Sequence, residues 1–136
     1  MAWAVEDGSF TLIGFPEAPH AEDLALLSSP PAQLVRERDE TTLLVRDVHA
    51  AAVLARHPSA RSVADLAWVR FEVAMGWDLV GFLALVAGEL ARSGVPIGAV
   101  CGFQRDHLFV ARAHLATARA VLDRLFPKGD PSAAAG

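Results

Sequence analysis

Apolar residues recur along this chain with two periods, every second position and every third or fourth, and the two alternate in order. Ala2 to Glu6 is a short apolar segment with strand character, and Asp7-Gly8 is a turn signal. Ser9 to Phe15 alternates, with Phe10, Leu12 and Gly14 on one side and Thr11, Ile13 and Phe15 on the other, which predicts a strand. Pro16 and Pro19 end it. Ala21 to Leu27 then reads as a short helix facing the core through Leu24 and Leu27, stopped by Ser28-Ser29-Pro30-Pro31. Gln33 to Arg38 and Thr41 to Arg46 form a hairpin over Asp39-Glu40. Arg36 and Arg38 share the side of Leu34, which marks the first of these strands as an edge or as one with a half-solvated face. Asp47 is placed to cap a helix to about Arg56, with Val48, Ala51, Ala52 and Ala55 on its apolar side. His57 to Asp65 reads as the link between two halves.

The second half repeats this order. Trp68 to Val73 is a strand with Val69, Phe71 and Val73 inward and Trp68, Arg70 and Glu72 on the other face. Asp78 is placed to cap a helix to about Ser93, and Leu83, Val86, Ala87 and Leu90 follow helical spacing. Gly94 and Pro96 supply the exit. Ile97 to Phe103 and His107 to Ala111 are strands around a short turn, followed by a helix Ala113 to Leu125 with its stripe at Leu115, Ala118, Val121, Leu122 and Leu125. Each half therefore reads β-α-β-β-α, an internal repeat. The expected fold class is α+β, with helices on one face of antiparallel sheets, in units 1–64 and 65–126 and a tail over 127–136. Neither half has a last strand of its own, so the segment at Ala2 to Glu6 and the strand at Trp68 are candidates to complete each other's sheets.

Composition narrows the function classes. The chain has 136 residues, 53% of them hydrophobic and 21% charged, enough for one compact domain or two half-domains and unlike a disordered chain. The net charge is −4, and Lys128 is the sole lysine, which argues against a nucleic-acid partner or a polybasic membrane patch. No apolar run reaches the roughly 18–20 residues that cross a bilayer, and the start MAWAVEDGSF lacks a basic region before an apolar one. With its single cysteine, Cys101, the chain is expected to be cytoplasmic, and that cysteine to be inert and buried in a strand. His20, His49, His57, His107 and His114 show no local metal-ligand spacing, and no nucleophile–base–oxyanion set or phosphate loop is present. The expectation is no enzyme, no metal and no cofactor.

The unit Trp68–Val73, Gly76-Trp77-Asp78-Leu79-Val80-Gly81, Leu90-Ala91-Arg92-Ser93-Gly94-Val95-Pro96-Ile97 and Cys101-Gly102-Phe103-Gln104-Arg105-Asp106-His107-Leu108-Phe109-Val110 resembles the amino-acid-binding ACT domains of the CASTOR type. The first half, SFTLIGFPE…PAQLVRERDETTLLVRD, is similar to the N-terminal half of small bacterial tandem-ACT proteins. The resemblance covers about residues 9 to 125. It implies tandem ferredoxin-like βαββαβ units, a non-catalytic regulatory role, pairing of copies into a homodimer, and an amino acid bound between ACT units. Where the family's hairpin carries Ser-Thr this chain has Cys101-Gly102, and Leu79 and Val80 stand where the family often has a small polar residue.

An α-amino acid brings a carboxylate and an ammonium a few ångströms apart. Helix-opening N–H groups suit the carboxylate, and Gly81 removes a side chain where a ligand would approach the backbone. Asp106 offers a carboxylate to the ammonium, with Phe103 and Trp77 as apolar walls. The expected site is Gly76, Trp77, Asp78, Leu79, Val80, Gly81, Phe103, Gln104 and Asp106. Plain roles compete at each position: a tight crossing at Gly76 and Gly81, a helix cap at Asp78, a turn at Asp106 and core packing at Phe103. On the alternative function, the fold is a protein-interaction module without a ligand, using its open sheet face and an outward Trp68.

Overall fold

The computed structural model describes residues 3–72 and 78–127. The strands are β1 Trp3–Val5, β2 Phe10–Phe15, β3 Gln33–Arg36, β4 Thr41–Arg46, β5 Arg61–Phe71, β6 Gly98–Cys101 and β7 Asp106–Ala111. The helices are α1 Ala21–Ala25, α2 Asp47–Arg56, α3 Phe82–Arg92 and α4 Leu115–Leu125. This is an α+β fold on antiparallel sheet. Among the described residues, 8–66 form one compact unit, and 3–7 with 67–127 form the other.

In the first unit the strands lie in the order β3-β4-β2-β5, each antiparallel to its neighbour. Ile13, Phe15, Leu43, Val45 and Val53 make its core. The first part of β5, Arg61 to Leu66, pairs with Gly14 to Phe10 and supplies the last strand. The expected link at His57–Asp65 is therefore strand from Arg61 onward. Polar residues there hid it: Arg61, Ser62, Val63, Ala64 and Asp65 all remain exposed, so no apolar alternation marks the run.

In the second unit β1 pairs antiparallel with β5, Trp3 opposite Phe71 and Val5 opposite Val69, while β7 and then β6 follow on the other side of β5. The first strand of the chain thus takes the place of this unit's missing last strand. Its core gathers Trp3, Val69, Phe71, Val86, Leu90, Leu108, Val110, Val121 and Leu122. Phe71 meets Phe82 edge-on at 4.8 Å between ring centroids, and Phe82 stacks on Phe126 at 6.0 Å. Burying each such side chain contributes about 1.5–3 kcal/mol.

Several local expectations are corrected. In α2 the inward face is Ala50, Val53, Leu54 and then His57, not Val48, Ala51, Ala52 and Ala55; Val48 is 79% exposed. Turning the helix toward the larger Val53 and Leu54 removes more apolar surface than the alanines offer. In α3 the buried positions are Val86 and Leu90 with Phe82 packed beside them, while Leu83 is exposed. Leu24 and Leu27 face outward, and the buried residue of α1 is Asp23. Neither aspartate is the helix cap: Arg46 caps α2 and Gly81 caps α3. Asp47 sits in the first turn of α2, where its carboxylate accepts from Thr11 Oγ1. Trp68 is buried, not outward, and Cys101 is exposed, not buried. Val73 lies outside the described residues. The exit of α3 is as expected: Gly94 has φ +73°, its N–H donates to Ala91 O at 3.0 Å, and that of Val95 to Leu90 O at 3.0 Å.

Candidate functional site

The helix α3 and the β6–β7 turn enclose a hollow of about 200 Å³ in the second unit. Leu79, Gly81 and the first residues of α3, Phe82, Leu83 and Ala84, line one side. Cys101, Gly102, Phe103, Arg105 and Asp106 line the other. Gly81 caps α3 with φ +87°, a left-handed conformation that a side chain resists. Leu85 N–H donates to Gly81 O at 2.9 Å, so the amides of Phe82, Leu83 and Ala84 fall in the opening turn, where a helix leaves donors without internal partners. On the facing turn Gly102 N–H donates to Arg105 O at 2.9 Å, and Cys101 pairs with Asp106. A β-carbon on Gly102 would come within 3.0 Å of Arg105 O and 3.3 Å of His107 Nε2, so the turn is tight enough to want glycine.

Of the expected residues, Leu79, Gly81, Phe103 and Asp106 meet at this hollow. Asp78, Val80 and Gln104 are exposed and do not line it. Gly76 and Trp77 lie outside the described residues. Phe103 is 89% exposed, so it forms a rim and not a wall. Arg105, on the same turn as Asp106 but outside the expected set, also lines the hollow. Behind the turn, Trp68 Nε1–H donates to His107 Nδ1 at 3.2 Å. Burial, and then the charge of Arg105, push the His107 imidazole below its ordinary value of 6.5. The neutral ring, free of a proton at Nδ1, is the form that can accept from Trp68.

The first unit holds a hollow of about 580 Å³, lined among others by Leu12, Gly14, Asp39, Glu40, Arg61 and Val63. It also holds a polar cluster. His57 is buried and stacks on Phe15 at 3.6 Å between ring centroids. Its Nδ1 lies 2.6 Å from Glu17 Oε1 and its Nε2 lies 2.7 Å from Asp23 Oδ2. Arg56 donates to Asp23 Oδ1 from Nη2 at 2.6 Å and from Nε at 3.0 Å, and the N–H of His20 donates to Oδ2 at 2.8 Å. Burial alone would raise the Asp23 carboxyl, but the hydrogen bonds from Arg56 and His57 outweigh it and hold it below 3.8. The hydrogen bond from His57 does the same for Glu17, below its ordinary 4.5.

No family model and no curated protein matches the sequence. The chain is similar in fold to protein Atu0741 from Agrobacterium tumefaciens, with a TM-score of 0.72 at 21% identity over 90% of this chain and 87% of that one. It is similar to the aspartokinase alpha and beta subunits, with a TM-score of 0.69 at 15% identity over 93% of this chain and 98% of the other. It is also similar to the ligand-free regulatory subunit of aspartate kinase from Thermus thermophilus, with a TM-score of 0.63 at 17% identity over 93% and 97%. What is shared is the fold. At such identities the side chains of the site are this chain's own. No described helix is long and apolar enough to cross a membrane.

Proposed function

We propose that the chain is a non-catalytic regulatory module of ACT type, built as two ferredoxin-like units, that binds a small zwitterion, an amino acid, in the hollow between Gly81 and Asp106. The observation that carries the reading is the convergence of these two distant corners on one small space. The opening turn of α3 and the Arg105 guanidinium suit a carboxylate, and Asp106 suits an ammonium group. A volume of about 200 Å³ is below that of drug-sized pockets, roughly 300–1,000 Å³, and favours a small ligand. The fold of aspartate-kinase regulatory subunits supports the same class of role.

The rim is apolar. Leu79 is 52% exposed, Leu83 37% and Phe103 89%. A second copy of the chain covering this rim would bury them and close the site, in line with the homodimer that the ACT resemblance implies. A thermal-shift screen against the twenty amino acids tests the reading. A ligand at 100 times its Kd stabilises the folded state by about 2.7 kcal/mol, and the shift is expected to disappear in Asp106→Ala. No shift with any amino acid at millimolar concentration would remove the ligand from the account.

A further inference from the structure

The geometry points to a second, unrelated site in the first unit: a divalent transition-metal site with His20, Asp23 and His57 as its ligands. One ligand atom from each lies within 4.8 Å of the others. Two imidazoles and one carboxylate are a donor set for zinc(II) and its first-row neighbours, and three protein ligands leave a coordination position open.

The two buried ligands already have the outer partners that such sites use. Glu17 Oε1 faces His57 Nδ1 at 2.6 Å, which fixes the ring and leaves Nε2 directed at Asp23. Arg56 takes Asp23 Oδ1, so Oδ2 is the oxygen turned toward the imidazole. Phe15 stacks on the ring at an interplanar angle of 8° and holds its plane. The third ligand is adjustable: His20 is exposed and tilted 54° to His57, with ring centroids 4.6 Å apart.

Bonds of about 2.0–2.1 Å in a tetrahedral site hold ligand atoms about 3.3 Å apart. The 2.7 Å between His57 Nε2 and Asp23 Oδ2 therefore opens by about half an ångström as the ion replaces the hydrogen shared there, a shift within reach of one side chain. The proton at Nε2 leaves to solvent as the ion enters. Charge favours the exchange. Once the Nε2 proton has left, Glu17 and Asp23 carry two negative charges against the one positive charge of Arg56, so the cluster that receives the cation is an anion. The ion would tie α1, the end of α2 and the segment after β2 together.

Untagged, chelator-treated full-length protein titrated with zinc(II) in a calorimeter tests this. One equivalent is expected to bind. His20→Ala removes an exposed ligand without touching the core and is expected to weaken binding at least about 10-fold; Glu17→Gln, acting through His57, by about 10–100-fold. His49→Ala, a histidine outside the cluster, is expected to leave the affinity unchanged. Cobalt(II) bound to the wild type gives visible bands that His20→Ala shifts or abolishes. No binding by the wild type at millimolar zinc(II), or an affinity and a cobalt(II) spectrum that survive His20→Ala, overturns the site.

Discussion

Replacing Asp23 is expected to destabilise the first unit more than any surface change can. The side chain is fully buried and both oxygens are used, Oδ1 by Arg56 and Oδ2 by His57 and the His20 N–H. Asp23→Ala leaves the Arg56 guanidinium and Nε2 of the buried His57 without the carboxylate they share, while His57 Nδ1 keeps Glu17. Removing one partner of a buried pair costs about 3–5 kcal/mol, a large part of the 5–15 kcal/mol that holds a typical domain. Asp23→Asn keeps the shape and one acceptor and is expected to cost less. The pH dependence has a definite sign. The Asp23 carboxyl titrates below its ordinary 3.8 in the folded state, so its contribution is present above that value and is lost as pH falls through the lower folded value. Urea unfolding of wild type and Asp23→Asn, at neutral pH and again near pH 3, reads both effects. Wild type is expected to be the more stable at neutral pH, and the gap to narrow in acid. Equal midpoints at neutral pH would refute the claim that this network stabilises the unit.

Four further outcomes follow from single features. Leu90→Ala, at a position 1% exposed, is expected to cost about 2–5 kcal/mol, whereas Leu85→Ala, at 50% exposed, stays within about 0.5 kcal/mol; equal urea midpoints would contradict the observed face of α3. Gly81→Ala forces a β-carbon into φ +87° and is expected to lose roughly 1–2 kcal/mol, measured by thermal unfolding, although nothing lies within 4 Å of the added carbon. His107 is held neutral, with its folded value below 6.5, so its contribution is complete above 6.5 and declines as pH falls toward the folded value. Stability measured between pH 7 and pH 5 is expected to fall less in His107→Gln than in wild type. Exposed Cys101 is expected to react with a thiol reagent in the native protein, and protection comparable to that of a buried thiol would contradict its placement.

Much of the architecture was legible because strands and helices carry different periods. The runs at Phe10–Phe15, Thr41–Arg46 and Asp106–Ala111 are strands, and α4 buries Ala118, Val121 and Leu122 of its expected stripe. The missing last strands were legible as a gap, and β1 and the start of β5 now stand in those places. Helix phase was not legible. In α2 the alanines at positions 51, 52 and 55 fit an apolar stripe as well as Ala50, Val53 and Leu54 do, and only burial against β2 and β4 separates them. Nor was the start of β5, whose residues from Arg61 to Asp65 are exposed and polar enough to read as a loop.

The site divided in the same way. Gly81 and Asp106 could be chosen from chemistry at two corners, but Arg105 belongs to the hollow only because the turn closes through Gly102 and Arg105. The cluster around His57 was invisible to a search for local spacing. Its members come from the segment after β2, from α1 and from the end of α2, and Glu17 and His57 stand 40 positions apart. The pair His20 and Asp23, three apart at a helix start, was the one signal in the sequence.

Amide chemical-shift mapping of uniformly labelled protein, titrated with each amino acid that stabilises it, tests the central claim most directly. The account predicts shifts concentrated at 79–84 and 101–106, saturating with one Kd and absent in Asp106→Ala. Shifts confined to 12–16, 39–42 and 59–63, around the larger hollow of the first unit, would contradict the assigned site, and no shift with any amino acid would contradict the function.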